Sequence, residues 1–386
     1  MTAPRCGADR LETLRPLLKG ARVGLVTAPT GRTVGGGSTV DALRAVCTLE
    51  VLFGPEHGVR GDVPAGERVE TCTDPRTGLP VYSLYGPDEA SRRLSEEMLG
   101  RFDVLVYDIQ DVGSRYYTFL STLRYLVRDC AAHGKPLVVL DRPNPLGGLV
   151  VEGAPVEPGL TSFVGCCPVP NRYGLTVGEF AGMVNGREGA GCGLTVVPCQ
   201  GWRRDMLWSE WGLPWVMPSP NIPRFETALL YVGTCLFEGT NLSEGRGTAD
   251  PFAVIGAPWV GDPEGICAAF NGLDLPGVAA TPVYFSPTCS KHAGALCAGV
   301  HLHVTDCRAI RPLAAGVHLL ALFQSRYPES FEVLPPKTAG GRPFLSLLAG
   351  HRTFETPGWR PEEVLAAAGE AADRFAAEKA AYHLYD

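Results

Sequence analysis

The sequence predicts an α/β protein, a parallel sheet wrapped by helices and followed by a smaller α+β domain. Short apolar runs alternate with helix-forming segments through the first 150 residues, and the early runs end in polar loops. Near Pro214 the pattern changes and proline and glycine become dense. Strands joined through helices form parallel sheets, and ligands gather beyond the carboxyl ends of such strands.

Residues 22–27 (RVGLVT) read as a buried strand, followed by a glycine-rich loop and a short helix over 39–46. Residues 49–53 form the next strand, and 88–101 carry helix formers behind the start signal of Pro87. A third strand spans 104–107 (VLVY), a helix with apolar residues at helical spacing spans 116–132, and a fourth strand spans 137–140 (LVVL). Thr176 and Glu179 form a capping-box pattern that opens a helix over 175–185, and 194–197 is a further strand. Beyond Pro214, 225–237 reads as a helix leading into a long polar loop. Residues 300–304 alternate as a strand, 312–324 are helical, and 361–382 form an Ala-rich helix. A chain of 386 residues is long for one core, so two domains are expected, 1–230 and 231–386.

With 45% hydrophobic and 19% charged residues, the chain has the make-up of a globular protein. Its net charge of -7 is spread out with no basic stripe, which argues against a nucleic-acid partner. No apolar run reaches the roughly 18 residues a membrane span needs. The N-terminal residues are polar and lack the apolar core of a signal peptide, so a cytoplasmic location is expected. The 13 cysteines are odd in number and contain no CxxC pair, which removes zinc ribbons and thioredoxin-like sites. Cys130, Cys235 and Cys267 sit in apolar surroundings, and the adjacent Cys166 and Cys167 are read as structural, so reduced thiols are expected throughout.

The chemistry concentrates in the loops after the strands. One carries residues 28–37, the next runs Gly54-Pro-Glu56-His57-Gly-Val-Arg60-Gly-Asp62, the third holds Asp108, Asp111, Arg115, Tyr116 and Tyr117, and the fourth holds Asp141, Arg142 and Asn144. Parallel strands bring all four to one edge of the sheet. Pro218-Ser-Pro-Asn221 is too stiff for a linker, and residues 237–248 set Glu238, Asn241, Glu244 and Arg246 between glycines. A concave polar site is the expected result. The glycine-rich loop lacks both G-x-G-x-x-G and G-K-[ST], so it makes a weak phosphate cradle, and no G-x-S-x-G elbow exists. His301 and His303 face one way on their strand with Asp306 beyond, but no third ligand is evident; hydrogen-bonded histidines are expected and no metal. Carboxylates beside Tyr82, Tyr85, Tyr116, Tyr117, Trp215 and Trp259 suit a small polar ligand, sugars included.

Together GPEHGVRGD, TGLPVYSLYG, DVLVYDIQDVGSRYYTF, VVLDRPNPLGG, PSPNIP, CLFEGTNLSEGRGT and PFAVIGAPW resemble the exo-acting β-N-acetylmuramidase family NamZ (DUF1343), in order from about Arg22 to Tyr385. The resemblance implies a Rossmann-like first domain, a smaller second domain and a cleft between them. It also implies release of N-acetylmuramic acid from the non-reducing end of peptidoglycan-derived fragments, with a muramic-acid-containing saccharide as partner and no cofactor. Glu56 then becomes the principal catalytic carboxyl group with His57 as its proton partner, and Glu244, ahead of Asp111, the second carboxylate. Arg60, Arg115, Arg142, Asn144, Asn221 and Arg246 match polar positions suited to the lactyl carboxylate, the N-acetyl group or ring hydroxyls. Asp108, Tyr116, Glu238 and Asn241 complete the candidate sugar contacts.

The chain departs from the family pattern at Thr27-Ala28 (usually Thr-Asn), Arg172-Tyr173-Gly174 (usually Arg-His-Gly), Cys297-Ala298-Gly299 (usually Cys-Gly-Gly) and Cys307 (usually Arg). If the missing Asn and His contact the sugar, a modified or different amino sugar is expected as substrate. Two other classes stay open, a sugar-binding or sensing protein without turnover and a nucleotide-sugar-binding enzyme using residues 31–37.

Overall fold

The computed structural model describes residues 3–61, 66–67, 71–336, 338 and 340–386; Asp62 of the polar run lies outside them. The strands are β1 (Arg22–Thr27), β2 (Thr48–Gly54), β3 (Cys72–Thr73), β4 (Pro80–Ser83), β5 (Val104–Asp108), β6 (Leu137–Leu140), β7 (Leu194–Val197), β8 (Val254–Ala257), β9 (Val278–Phe285) and β10 (Cys297–Val304). Among the described residues they form a seven-stranded sheet, ordered β3-β4-β2-β1-β5-β6-β7, and a three-stranded sheet, ordered β8-β10-β9. From β4 to β7 every neighbouring pair is parallel, with Leu25 beside both Leu52 and Val106; only the edge strand β3 runs antiparallel. The second sheet is antiparallel throughout.

Side-chain alternation along these strands feeds two apolar layers. Val23, Leu25, Val106, Val138 and Leu140 pack with Leu14, Leu18 and Leu43 on one face. Val26, Phe53, Tyr107 and Val139 face the other way, into a core that continues through helices Phe119–Ala132 and Val177–Arg187 to Phe237, Phe270, Leu302 and Phe323. Helices Phe225–Thr234 and Pro312–Arg326 meet backbone to backbone, since a β-carbon on Gly233 would lie 1.9 Å from the Pro312 carbonyl oxygen. Only glycine allows that approach.

Three expected elements take a different form. Residues 88–101 are not one helix but a 3-10 turn, Ala90–Arg92, and a short helix, Glu96–Leu99, capped by Ser95. Arg93 is extended between them because the Asp129 carboxylate accepts from the Arg93 side chain at 2.7 Å and from Leu94 N at 2.9 Å. The helix expected from 116 starts at Phe119, and the one expected to reach 237 becomes 3-10 over Cys235–Gly239. The capping box at Thr176 and Glu179 is present, with Glu179 accepting from Thr176 N at 2.9 Å. All 13 cysteines are free.

Helix Pro361–Lys379 leads the chain back onto the first sheet. Lys379 Nζ donates to the carbonyls of Gly148 at 2.5 Å and Gly174 at 2.7 Å. Leu384 N donates to Glu179 Oε1 at 2.8 Å, and Tyr385 stacks edge-on against Trp202 at 5.1 Å. The Tyr385 hydroxyl accepts from Cys199 N at 2.9 Å and donates to Asp141, the residue that follows β6. Asp141 also accepts from Arg142 N, Gly178 N and the Thr176 hydroxyl.

Candidate active site

After β2 the chain turns sharply, with Gly58 N donating to Pro55 O at 2.9 Å. His57, buried at 4% exposure, adopts φ 73° and Gly58 φ 75°. A non-glycine residue there is strained by roughly 1 kcal/mol or more, a cost that persists only where the surroundings dictate it. The turn presents Glu56 half-buried, its Oε2 accepting from the Thr118 hydroxyl at 2.6 Å and its Oε1 from Gly66 N at 3.0 Å. The Tyr85 phenol faces the same carboxylate; burial, and then the Glu56 charge, push its pKa up.

Thr118 sits beside the residue where four loops meet. The buried Tyr117 phenol faces Ser219 of the Pro218–Asn221 turn and feels the charges of Glu56, Asp111 and Arg246. Its ring stands edge-on to Phe119 at 4.7 Å and to Tyr231 at 6.2 Å. Asn221 lies half-buried in the same turn.

Asp111, in the loop after β5, is 3% exposed. Its Oδ2 accepts from Gly113 N at 2.7 Å and from the Tyr173 hydroxyl, while Oδ1 finds no hydrogen-bond donor among the described residues. Burial pushes its pKa up to about 7. The folded state thus holds this proton more tightly than the unfolded chain, in which the carboxyl titrates near its ordinary 3.8. Stability that is full below that value falls as pH rises towards 7, by up to about 1.4 kcal/mol per pH unit. Asp111→Asn is therefore expected to flatten the decline of the urea midpoint between about pH 4 and 7. An unchanged slope would place the ionised carboxylate in a better-solvated setting than this one.

Across Tyr117 lies a charge cluster. Arg246 reaches Glu238 at 3.0 Å and Glu244 at 3.1 Å, and Lys291 Nζ reaches Glu244 at 2.7 Å. Glu244 is 2% exposed between its two cations, whereas Glu238 keeps 21% of its side chain exposed. Removal from water, and secondarily the charge of Glu244, raise the Glu238 pKa against the opposing pull of Arg246. Lys291 also donates to the carbonyls of Phe237 at 2.7 Å and Thr240 at 2.9 Å, fixing the loop.

The remaining candidates form the frame. Arg60 is bidentate on Asp74 at 2.7 and 2.8 Å. Arg142 forks onto Asp108 at 2.6 and 2.9 Å, both groups buried. Arg115 donates to the carbonyls of Ala154, Val169 and Leu348, and burial lowers its pKa to about 10. Tyr116 donates to Val232 O at 2.8 Å, Asn144 to Leu175 O at 2.8 Å and Asn241 to Ser330 O at 2.7 Å. The sequence reading did not put forward Thr118, Ser219 or Lys291, and it singled out Tyr173 only as a departure from the family pattern. Lys291 gave no signal, since it lies between Ser290 and His292, left-handed residues with no glycine to mark the turn.

The glycine-rich loop closes on itself, with Thr33 N donating to Gly37 O at 2.9 Å and Gly36 N to Thr33 O at 2.8 Å. The histidine rings of His301 and His303 lie 4.2 Å apart, one paired with Asp250 at 3.0 Å and the other with Thr281 at 2.8 Å. No group of three or more His, Cys, Asp or Glu among the described residues could hold a metal ion.

Residues 23–226 match the family model for exo-β-N-acetylmuramidase NamZ, N-terminal, and residues 229–385 that for its C-terminal part. The chain is 45% identical over 330 residues to peptidoglycan β-N-acetylmuramidase NamZ of Bacillus subtilis (strain 168), covering 84% of this chain and 79% of that protein. Two crystal structures of DUF1343 family proteins from Bacteroides fragilis NCTC 9343 have the same architecture. BF0371 superposes with a TM-score of 0.89 at 36% identity over 100% of both chains. BF0379 superposes with 0.74 at 29% identity over 100% of this chain and 99% of that one.

Proposed function

This chain belongs to the NamZ family of exo-β-N-acetylmuramidases and is a glycoside hydrolase, and we propose from that premise that Glu56 is the carboxyl group that protonates the departing glycosidic oxygen. The observation that carries this is the setting of Glu56. It stands at a strand end, held by Thr118 and Gly66 yet half open to solvent, beside the strained His57. Acid/base catalysis needs a positioned carboxyl group that substrate can reach. For the second carboxylate we favour Glu238 over Glu244 and Asp111. Glu238 keeps an exposed edge and forms its ion pair with Arg246, whereas Glu244 is clamped by Arg246 and Lys291 and Asp111 is enclosed. The substrate is a muramic-acid-containing saccharide, cut at its non-reducing end. Among the described residues no helix is long and apolar enough to cross a membrane.

Purified protein is expected to release free N-acetylmuramic acid from a chromogenic β-N-acetylmuramide and from the disaccharide it forms with N-acetylglucosamine, and to leave a β-N-acetylglucosaminide intact. Binding of the muramyl sugar by folded protein without any product would instead indicate a cleft that has lost turnover.

A further inference from the structure

A cavity of about 320 Å³ opens beyond β1, β5 and β6, where the strand order reverses direction across the sheet. Such switch points are where parallel sheets take their ligands, and this volume lies at the small end for ligand pockets. One wall is aromatic. Trp208 lies 4.4 Å from Trp211 and 4.9 Å from Trp215, ring centre to ring centre. Trp211 is 2% exposed, and its indole N–H has no hydrogen-bond partner among the described residues. A buried donor in that condition is costly unless something supplied from outside accepts from it.

The lining also carries positive charge. Arg142 lines the cavity, but its guanidinium is consumed by Asp108 and the Arg32 carbonyl. Among the described residues the exposed Arg32 side chain donates only to Pro29 O, at 3.2 Å, and no carboxylate pairs with it. The arginines that the sequence put forward for a substrate carboxylate are engaged elsewhere: Arg60 by Asp74, Arg115 by carbonyls, Arg142 by Asp108 and Arg246 by two glutamates. The cavity also adjoins the catalytic region. Gln110 and Pro218 line it, and their chain neighbours Asp111 and Ser219 are the groups around the Tyr117 phenol, which senses Glu56.

Resting on the muramidase reading above, we infer that this cavity receives the carboxylate-bearing arm of the substrate, with Arg32 as the group that reads the charge. That arm is the lactyl ether, free or extended by peptide. Either form presents an apolar methyl face to the tryptophan wall and a carboxylate to the guanidinium, while its oxygens offer acceptors to the Trp211 N–H. A neutral N-acetylglucosamine unit has no such arm.

Two measurements test this. The first compares β-glycosides of N-acetylmuramic acid, of its lactyl carboxamide and of muramyl dipeptide in wild type, Arg32→Gln and Arg92→Gln. Arg92 is the control, a guanidinium near Tyr85 stacked 4.1 Å over Phe163. Arg32→Gln is expected to raise KM about tenfold for the free acid and to erase the preference over the carboxamide. The same loss confined to the dipeptide would still support the pocket and assign it to peptide carboxylates. A preference that survives Arg32→Gln, or that disappears in Arg92→Gln instead, overturns the inference. The second measurement titrates free N-acetylmuramic acid into the inactive Glu56→Gln variant and follows tryptophan emission. The change in emission is expected to be lost on adding Trp215→Phe and to be weakened about tenfold in ligand concentration on adding Arg32→Gln. Identical curves for all three overturn the inference. Because this second measurement does not depend on turnover, a wild type that hydrolyses nothing would sink the muramidase reading and leave the pocket to be judged by binding.

Discussion

Glu56→Gln is expected to lower kcat on a β-N-acetylmuramide by about 10²–10⁴-fold, the range that a positioned acid/base group contributes. The amide has nearly the shape of the acid and fits the same contacts. Its oxygen accepts from Gly66 N in place of Oε1, and its NH2 turns to the Thr118 hydroxyl, which reverses and accepts. Folding is therefore preserved while the transferable proton is lost. KM for the muramyl glycoside should stay within a few-fold, and the melting temperature within a few degrees, which separates a chemical defect from a structural one. A fall of less than tenfold in kcat would move the acid role to another carboxyl group, Glu238 first.

The largest expected loss of stability comes from Asp108→Ala. Asp108 is fully buried and Arg142 nearly so, their side chains 0% and 5% exposed, and the fork between them uses both carboxylate oxygens. Removing the acid leaves a guanidinium without counter-charge at the end of β5, a defect that costs about 3–5 kcal/mol. The urea midpoint should drop accordingly with an unchanged m-value. Replacing both partners together, Asp108→Leu with Arg142→Met, should cost far less than the sum of the single changes, because the expense lies in the unpaired charge rather than in the missing bond. A loss below about 1 kcal/mol in Asp108→Ala would mean that water reaches Arg142.

How far the sequence disclosed this molecule depended on whether a signal was local. β1, β2, β5, β6 and β7 stood out because apolar runs between turn formers have few other uses, and Thr176 with Glu179 marked a helix start within four residues. β4 gave nothing away, since it is four residues long and opens on a proline that suits an edge or a strand start better than a sheet interior. The break at Arg93 was invisible because Asp129, the residue that imposes it, lies 36 positions away. The site divides in the same manner. The position of Glu56 just beyond a strand was legible. Which arginines are free for a ligand was not, since Arg60 and Asp74, or Arg142 and Asp108, are joined only by the fold.

The bond between Asp141 and Tyr385 spans 244 positions of sequence. At about 5–20 residues per second of synthesis, the carboxylate precedes its phenol by about 12–50 s. Throughout that interval the rim beyond β6, where Arg142 and the loops of the site are anchored, lacks its final hydrogen bond and the ring that packs on Trp202. The rim beyond β6 therefore waits for a segment that follows helix Pro361–Lys379, so the sheet edge that gathers the site is completed late in folding, well after its own strands have been made.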